Sequence, residues 1–223
     1  MPYQLLIFDW DGTLMDSQQK IVTCIQSAAA QCDVTVPSDN DAKQIIGLSL
    51  LPAIKKLFDL NGSNEEELAN KLVAAYKTIF LEQDQTPCLL FDGVLAMLDD
   101  LKASHCDLVV ATGKARRGLE RVWQSSNTKS YFVDSRCADE AESKPSPDML
   151  KQLLAARNVN AEDAIMIGDT AYDMAMAKSL GMTSIAVTYG VHDIELLNTQ
   201  TPTYTVNSVK ELHSLLTSLI TAN

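Results

Sequence analysis

The chain has 223 residues, enough to bury a full hydrophobic core, either as one large domain or as a core with an inserted module. Its formal net charge of −11 argues against nucleic-acid binding, because clustered Lys and Arg are what hold a phosphate backbone. Apolar runs are too short to cross a bilayer, residues 1–4 lack a secretion-signal pattern, and the five cysteines lack metal-ligand spacing, so we expect a cytoplasmic protein without membrane partners.

Two carboxylates directly follow the first predicted strand, which covers residues 5–8. Asp9 and Asp11 lie two positions apart, so in an extended chain both side chains point to the same side. Two negative charges in one small volume repel each other unless a cation or a shared proton lies between them. The pair therefore predicts a divalent metal site, although Asp and Gly after a strand are also ordinary turn residues.

The next segment has helical periodicity and no clear strand-like alternation. Ser63 and Glu66 form a predicted capping box at the start of one of its helices. This helical block interrupts an otherwise regular alternation of strands and helices. We therefore predict an inserted, all-helical cap domain over residues 16–85 and an α/β core formed by residues 1–15 and 86–223.

Strand and helix patterns alternate again after the helical block. Residues 108–111 and 164–167 are apolar runs that predict buried strands, and another strand is predicted near residues 131–133. Later strands are predicted near Ile185 and Tyr204 before a last amphipathic helix. This alternation predicts an α/β fold with a Rossmann-like parallel sheet, right-handed crossovers and helices on both faces.

Further polar residues stand at the boundaries of these later elements. Thr112 and Gly113 follow one apolar run, Asp169 and Asp173 follow another, and Lys144 precedes a predicted helix start. Each has a structural explanation by itself: a turn, a helix amino end or a solvated lysine. Because the carboxyl ends of parallel strands share one edge of a sheet, where ligands bind, their arrangement favours a single active site.

The chemistry that needs these groups together is phosphoryl transfer through a covalent aspartyl intermediate. Thr112 offers a hydroxyl, Gly113 an unobstructed backbone N–H and Lys144 a fixed positive charge for the phosphoryl oxygens. Carboxylate oxygens suit Mg²⁺, which prefers hard ligands. The expected magnesium ligands are Asp9, Asp11 and Asp169.

Four motifs carry a resemblance to a known family across nearly the whole chain. The motifs are Asp9-Trp10-Asp11-Gly12-Thr13-Leu14, Ala111-Thr112-Gly113-Lys114, Ser143-Lys144-Pro145, and Gly168-Asp169 followed by Asp173. In this order they resemble the haloacid dehalogenase superfamily, in particular its phosphoglycolate-phosphatase-like branch.

The resemblance implies a role for each matching residue. Asp9 is the expected nucleophile and a metal ligand, and Asp11 is the expected general acid and base, which also touches the metal through its backbone carbonyl. Thr112 and Lys144 are expected to bind the phosphoryl group. By the same resemblance Asp169 is a Mg²⁺ ligand that Asp173 supports.

Two other segments have open interpretations. Residues 47–50 interrupt the helical pattern of the predicted cap and resemble the family's segment that faces the catalytic site, although a plain turn between helices explains them equally well. Residues 114–117 are the densest basic cluster, and a solvated helix face explains them better than a role in substrate approach.

The expected function is a Mg²⁺-dependent phosphatase that hydrolyses a small phosphorylated metabolite, such as a phosphoglycolate-like compound or a sugar phosphate. A phosphomutase of the β-phosphoglucomutase type is the alternative within enzymes, and a phosphoacceptor signalling module is the alternative outside them. We expect a monomer, with a homodimer as the second choice.

Overall fold

The computed structural model describes residues 3–62 and 65–221. Ser63, the predicted capping residue, lies outside this part of the chain. In chain order the strands are β1 (Leu5–Phe8), β2 (Met15–Asp16), β3 (Leu89–Leu90), β4 (Asp107–Ala111), β5 (Asp134–Arg136), β6 (Ala164–Gly168), β7 (Thr183–Val187) and β8 (Tyr204–Val206).

The helices surround these strands and alternate with them in the second half of the chain. In chain order they are α1 (Gln18–Gln31), α2 (Asp39–Lys43), α3 (Leu50–Leu57), α4 (Glu66–Thr78), α5 (Val94–Lys102), α6 (Arg116–Ser126), α7 (Asp148–Arg157), α8 (Ala171–Ser179), α9 (Ile194–Asn198) and α10 (Val209–Thr221). A π-helical turn at Ile79–Gln83 extends α4.

Six strands form a parallel sheet in the order β5-β4-β1-β6-β7-β8. Strand β1 lies between β4 and β6, with Leu5 opposite both Asp107 and Ala164. All of its residues are buried, because a central strand of a parallel sheet is covered on both faces. The predicted strand near residues 131–133 is wrong by a few positions: a 3₁₀ turn occupies Lys129–Tyr131, and the strand follows at Asp134.

Helices cover both faces of this sheet, which confirms the predicted α/β fold. Leu6 and Phe8 point into an apolar cluster shared with α5, α6 and α10. Leu5 and Ile7 point into the opposite cluster, which contains residues of α7 and α8. The alternation along β1 therefore joins two halves of one core.

An all-helical segment, from α1 to the π-helical turn, is inserted between β2 and β3. These two short strands pair antiparallel, with Met15 opposite Leu90, so the chain leaves the core and returns to it side by side. The helices pack around two apolar clusters of their own. The inserted helical cap is thus present, while the boundaries at residues 16 and 85 stay a prediction.

The strand order reverses at β1, since β4 and β5 lie on one of its sides and β6, β7 and β8 on the other. In such a sheet the loops that follow the central strands open a crevice at their carboxyl ends. The loops after β1, β4 and β6 meet there.

Within the described residues, no helix combines the length and the apolar composition that crossing a bilayer requires.

Candidate active site

The crevice brings together three residues that each come directly after a strand. Asp9 follows β1, Thr112 follows β4 and Asp169 follows β6. Backbone hydrogen bonds continue the sheet to these positions, from Asp9 N to the Ile167 carbonyl at 2.9 Å and from Thr112 N to the Arg136 carbonyl at 3.0 Å. The rigid sheet therefore sets where these side chains begin.

Buried carboxylates form the centre of the site. Asp9, Asp169 and Asp173 each place an oxygen within 4.8 Å of the other two. Lys144 lies among them, with its Nζ 2.8 Å from Oδ1 of Asp9 and 2.7 Å from Oδ1 of Asp173. Three carboxylates beside one ammonium give the cluster an excess of negative charge when all are ionised.

Burial and mutual repulsion act on the protonation of this cluster. Burial raises the pKa of Asp9 to about 7, with Lys144 opposing the shift and the charge of Asp173 adding to it. Burial and the charge of Asp9 likewise raise the pKa of Asp169 well above its usual range. Burial alone would lower the pKa of Lys144, but the carboxylates of Asp173 and Asp9 hold it above the usual value. Lys144 therefore stays charged, but its single positive charge does not neutralise the three carboxylates.

The hydrogen bonding of the cluster fits a hard divalent cation. Both carboxylate oxygens of Asp9 are buried, and across residues 3–62 and 65–221 the only cation near them is the Lys144 ammonium, 2.8 Å from Oδ1. Asp169 is held from two sides, by the Thr13 hydroxyl at 2.8 Å and the Val191 amide at 2.9 Å. Buried carboxylate oxygens without hydrogen-bond donors are costly, and a cation that prefers oxygen ligands would satisfy them.

Asp173 has both a structural and a local electrostatic function. Its Oδ2 accepts hydrogen bonds from the amide and the hydroxyl of Thr170, at 3.1 and 2.6 Å, which caps the amino end of α8. Its Oδ1 accepts one from Lys144 at 2.7 Å. The helix cap and the orientation of Lys144 therefore depend on the same carboxylate.

The side chain of Asp11 lies outside the carboxylate cluster. Its Oδ2 is 2.8 Å from Nζ of Lys114, and its Oδ1 accepts a hydrogen bond from the Ser17 hydroxyl. The expected metal contact of Asp11 is through the backbone carbonyl, and that contact stays a prediction.

The loop after β4 holds the predicted phosphate-binding residues against the cap. The Thr112 hydroxyl oxygen accepts a hydrogen bond from the Lys114 amide at 3.2 Å. A Cβ atom added at Gly113 would lie 2.6 Å from the Gly47 carbonyl oxygen, so only glycine permits this approach. On the neighbouring loop, the Ser49 amide donates to the Ser143 hydroxyl at 3.0 Å. Residues 47–50 of the cap thus contact the loops around the crevice.

Sequence reasoning missed two residues of the site. Lys114 was expected on a solvated helix face, but α6 begins only at Arg116 and the Lys114 side chain is 11% exposed beside Asp11. His192 is buried, accepts a hydrogen bond from the Ala171 amide at 3.0 Å through Nδ1, and belongs to the loop after β7. Lys114 directly follows Thr112-Gly113, so its position in the sequence could have indicated a place in the site. No local sequence pattern indicates the same for His192.

Comparison with known proteins agrees with this architecture. The haloacid dehalogenase-like hydrolase family matches residues 6–187. A probable phosphatase, IndB, from Dickeya dadantii is 33% identical over 219 residues, which are 95% of this chain and 94% of that protein. A phosphoglycolate phosphatase from Vibrio parahaemolyticus is 24% identical over 214 residues, 94% of each protein.

A solved structure extends the likeness to three dimensions. The crystal structure of a predicted phosphatase from Clostridium acetobutylicum superposes with a TM-score of 0.87 at 29% identity, covering 98% of this chain and all of the other. Sequence and fold agree over almost the full length of each partner, so the predicted resemblance is confirmed. The chain belongs to the haloacid dehalogenase-like hydrolase family.

Proposed function

We propose that this enzyme is a Mg²⁺-dependent phosphatase that hydrolyses a small phosphomonoester, of the phosphoglycolate or sugar-phosphate kind, through a phosphoryl group carried on Asp9. The observation that carries the proposal is the Asp9 carboxylate, buried with its Oδ1 2.8 Å from the Lys144 ammonium and its Oδ2 without a hydrogen-bond partner in the described chain. Lys144 orients the carboxylate through Oδ1, and the lone pairs of the unpartnered Oδ2 stay available for attack on phosphorus. The relatives named as phosphatases support the same reaction.

In the first step an oxygen of Asp9 attacks phosphorus and the ester P–O bond breaks. The departing oxygen takes a proton from the Asp11 carboxyl group, which thereby becomes a carboxylate. In the second step the Asp11 carboxylate takes a proton from water, the water oxygen bonds to phosphorus, and the bond from Asp9 to phosphorus breaks. Inorganic phosphate leaves, and both aspartates return to their starting states.

The phosphoryl oxygens need donors that are in position before the reaction begins. We assign this role to the Thr112 hydroxyl, the Gly113 amide and the Lys144 ammonium, which stays charged because Asp9 and Asp173 stabilise the charge. The cation site would consist of Asp9, Asp169 and the backbone carbonyl of Asp11. Asp173 would support it through Lys144.

When bound, Mg²⁺ supplies positive charge that offsets the repulsion between the carboxylates and the substrate phosphate. The buried oxygens of Asp9 and Asp169 are the groups whose raised pKa values such a charge would reverse. Lys144 by itself leaves the cluster short of positive charge.

The helical segment at residues 16–85 would act as a lid that excludes bulk water from the crevice. Its contacts with the core support this role. Lys56 of α3 donates to the Tyr172 hydroxyl at 2.7 Å, and that hydroxyl donates to the Gln44 carbonyl at 2.5 Å. The close approach of Gly47 to Gly113 brings the same segment to the predicted phosphate-binding loop.

A turnover assay tests the proposed function. Wild-type protein, Asp9→Asn and Asp16→Asn would be compared on 4-nitrophenyl phosphate and on a panel of metabolite phosphates with Mg²⁺. Asp16 is the matched control, because it is an exposed acid close in sequence to the site. We expect many cycles of phosphate release from the wild type and the Asp16 variant, and none from Asp9→Asn.

Two other outcomes would overturn the proposal in recognisable ways. Isomerisation of a sugar phosphate without net phosphate release would indicate a phosphomutase. A single stoichiometric labelling of the protein without turnover would indicate a phosphoacceptor module.

A further inference from the structure

Both oxygens of the Asp11 carboxylate have partners, and these partners belong to different parts of the chain. The Ser17 hydroxyl at the start of α1 donates to Oδ1, and Lys114 from the loop after β4 lies at Oδ2. The Lys114 and Asp11 side chains are each 11% exposed, so solvent screens their attraction only weakly. The pair is therefore well placed to restrict the rotation of the Asp11 side chain.

Lys114 itself is held through both its backbone and its side chain. Its amide donates to the Thr112 hydroxyl oxygen at 3.2 Å, and its carbonyl accepts from the Ala138 amide at 2.8 Å. Its Nζ lies 5.5 Å from the centre of the Phe80 ring, which belongs to the π-helical turn of the cap. Lys114 therefore joins the Asp11 carboxylate to the predicted phosphate-binding loop and to an aromatic face of the cap.

We propose that Lys114 is a positioning residue that holds the Asp11 carboxyl group in place for proton transfer. The inference rests on the proposed function, in which Asp11 first donates a proton to the departing oxygen and then accepts one from water. Lys114 forms no bond with the reacting atoms. It acts because proton transfer requires donor and acceptor atoms within hydrogen-bond reach, and a carboxyl group held by Ser17 alone meets that condition less often than one held at both oxygens.

A second interpretation makes a different prediction. If Lys114 bound the substrate directly, its loss would raise KM. That rise would be the same with Asp11 intact and with Asp11 replaced. A residue that acts through Asp11 should instead lower kcat, and its removal should cost nothing more once Asp11 is gone.

The experiment is a double-mutant cycle on a phosphorylated alkyl alcohol, whose departing oxygen needs a proton. The variants are Lys114→Met, Asp11→Asn, the combination of both, and Lys114→Arg as the conservative rescue. Lys20→Met is the matched control, because Lys20 also lies against Phe80, at 4.9 Å, but donates to the Asp84 carbonyl and not to Asp11.

We expect Lys114→Met to lower kcat about 10- to 100-fold with KM changed less than about 3-fold, since general acid–base catalysis contributes about that much or more. Lys114→Arg should recover most of the loss, Lys20→Met should stay near wild type, and Lys114→Met should add no loss to Asp11→Asn. Lys114→Gln, which keeps a polar side chain, replaces Lys114→Met if thermal denaturation shows that the methionine variant does not fold.

Three results would overturn the proposal while leaving the proposed function intact: unchanged kcat in Lys114→Met, a rise in KM alone, or the same loss in the presence and absence of Asp11. Failure of the proposed function looks different. In that case the wild type itself hydrolyses no phosphomonoester, or Asp9→Asn retains full turnover, and the role of Lys114 falls with it.

Discussion

Asp9 carries a buried carboxylate whose Oδ1 lies 2.8 Å from Nζ of Lys144 and whose Oδ2 has no hydrogen-bond partner among the described residues. Burial raises its pKa to about 7, against a usual value of 3.8. Without a bound cation, burial penalises the ionised form of Asp9 more than Lys144 stabilises it, so the presence of this carboxylate is best explained by chemistry. The same residue that we propose as nucleophile thus lowers the stability of the metal-free fold.

The corresponding prediction is that Asp9→Asn inactivates the enzyme and stabilises the metal-free protein. With a folded pKa near 7, the native state binds more protons than the unfolded state between about pH 4 and pH 7, so wild-type stability falls as pH rises through that window. Asparagine has no proton to lose. We expect a free energy of unfolding higher by roughly 1–2 kcal/mol at pH 8, and a smaller difference at pH 5.

Thermal denaturation in the presence of chelator measures this difference, with Asp16→Asn as the control that changes charge outside the site. The quantity to compare is the melting temperature of Asp9→Asn minus that of the wild type. A smaller difference at pH 8 than at pH 5 would contradict the prediction.

At the scale of the element, the β4–α6 connection shows how two glycines in one segment serve different purposes. Gly113 precedes the helix and faces the cap, where an added Cβ would lie 2.6 Å from the Gly47 carbonyl oxygen. Gly118 lies within the first turns of α6, and an added Cβ would be 3.8 Å from the nearest side chain, an ordinary contact. Only the first position requires glycine for space.

We therefore expect opposite results from the two alanine substitutions. Gly118→Ala should raise the free energy of unfolding by about 0.5 kcal/mol, because alanine favours helix over glycine, and should leave kcat/KM unchanged. Gly113→Ala should lower kcat/KM by about 10-fold or more, since a shift of about an ångström near reacting groups has effects of that size. Parallel measurement of melting temperature and kcat/KM checks both, and equal kcat/KM for the two variants would contradict the predicted contact with the cap.

At the scale of the whole molecule, an acidic chain with a net charge of −11 collects several of its carboxylates in one buried place. Ligands that bind only the folded state stabilise it in proportion to the logarithm of their concentration. A divalent cation in this site would therefore couple activity to stability.

The predicted monomer stays a prediction, which sedimentation velocity would check.

The metal prediction compares Mg²⁺ with Ca²⁺. Mg²⁺ binds at about 2.1 Å in near-octahedral geometry and would use one oxygen of Asp9, whereas Ca²⁺ takes roughly six to eight ligands at about 2.3–2.6 Å and readily binds both oxygens of a carboxylate. We expect both ions to raise the melting temperature, but only Mg²⁺ to support turnover, with Ca²⁺ inhibiting in competition. Asp9→Asn should lose most of the Mg²⁺-dependent rise in melting temperature. Full activity in Ca²⁺ alone, or after chelation, would contradict the proposed double role of Asp9 as ligand and nucleophile.

The sequence by itself was sufficient for the order of the elements and for the side chains that begin the site. Asp9, Thr112 and Asp169 were predicted to meet because each follows an apolar run, and parallel strands bring their carboxyl ends to one edge. The helical insertion was also predictable, since its periodicity differs from the alternation on either side. These features depend on short stretches of chain, where the spacing of apolar residues directly reflects secondary structure.

Only the tertiary structure decided which partner each side chain takes. Lys114 pairs with Asp11 and not with solvent because the loops after β1 and β4 come into contact when the strands align. His192 reaches the amino end of α8 for the same kind of reason, through the pairing of β6 and β7. Such contacts join residues far apart in the chain, and their geometry depends on strand register and on how the cap packs over the crevice, which no local pattern of residues encodes.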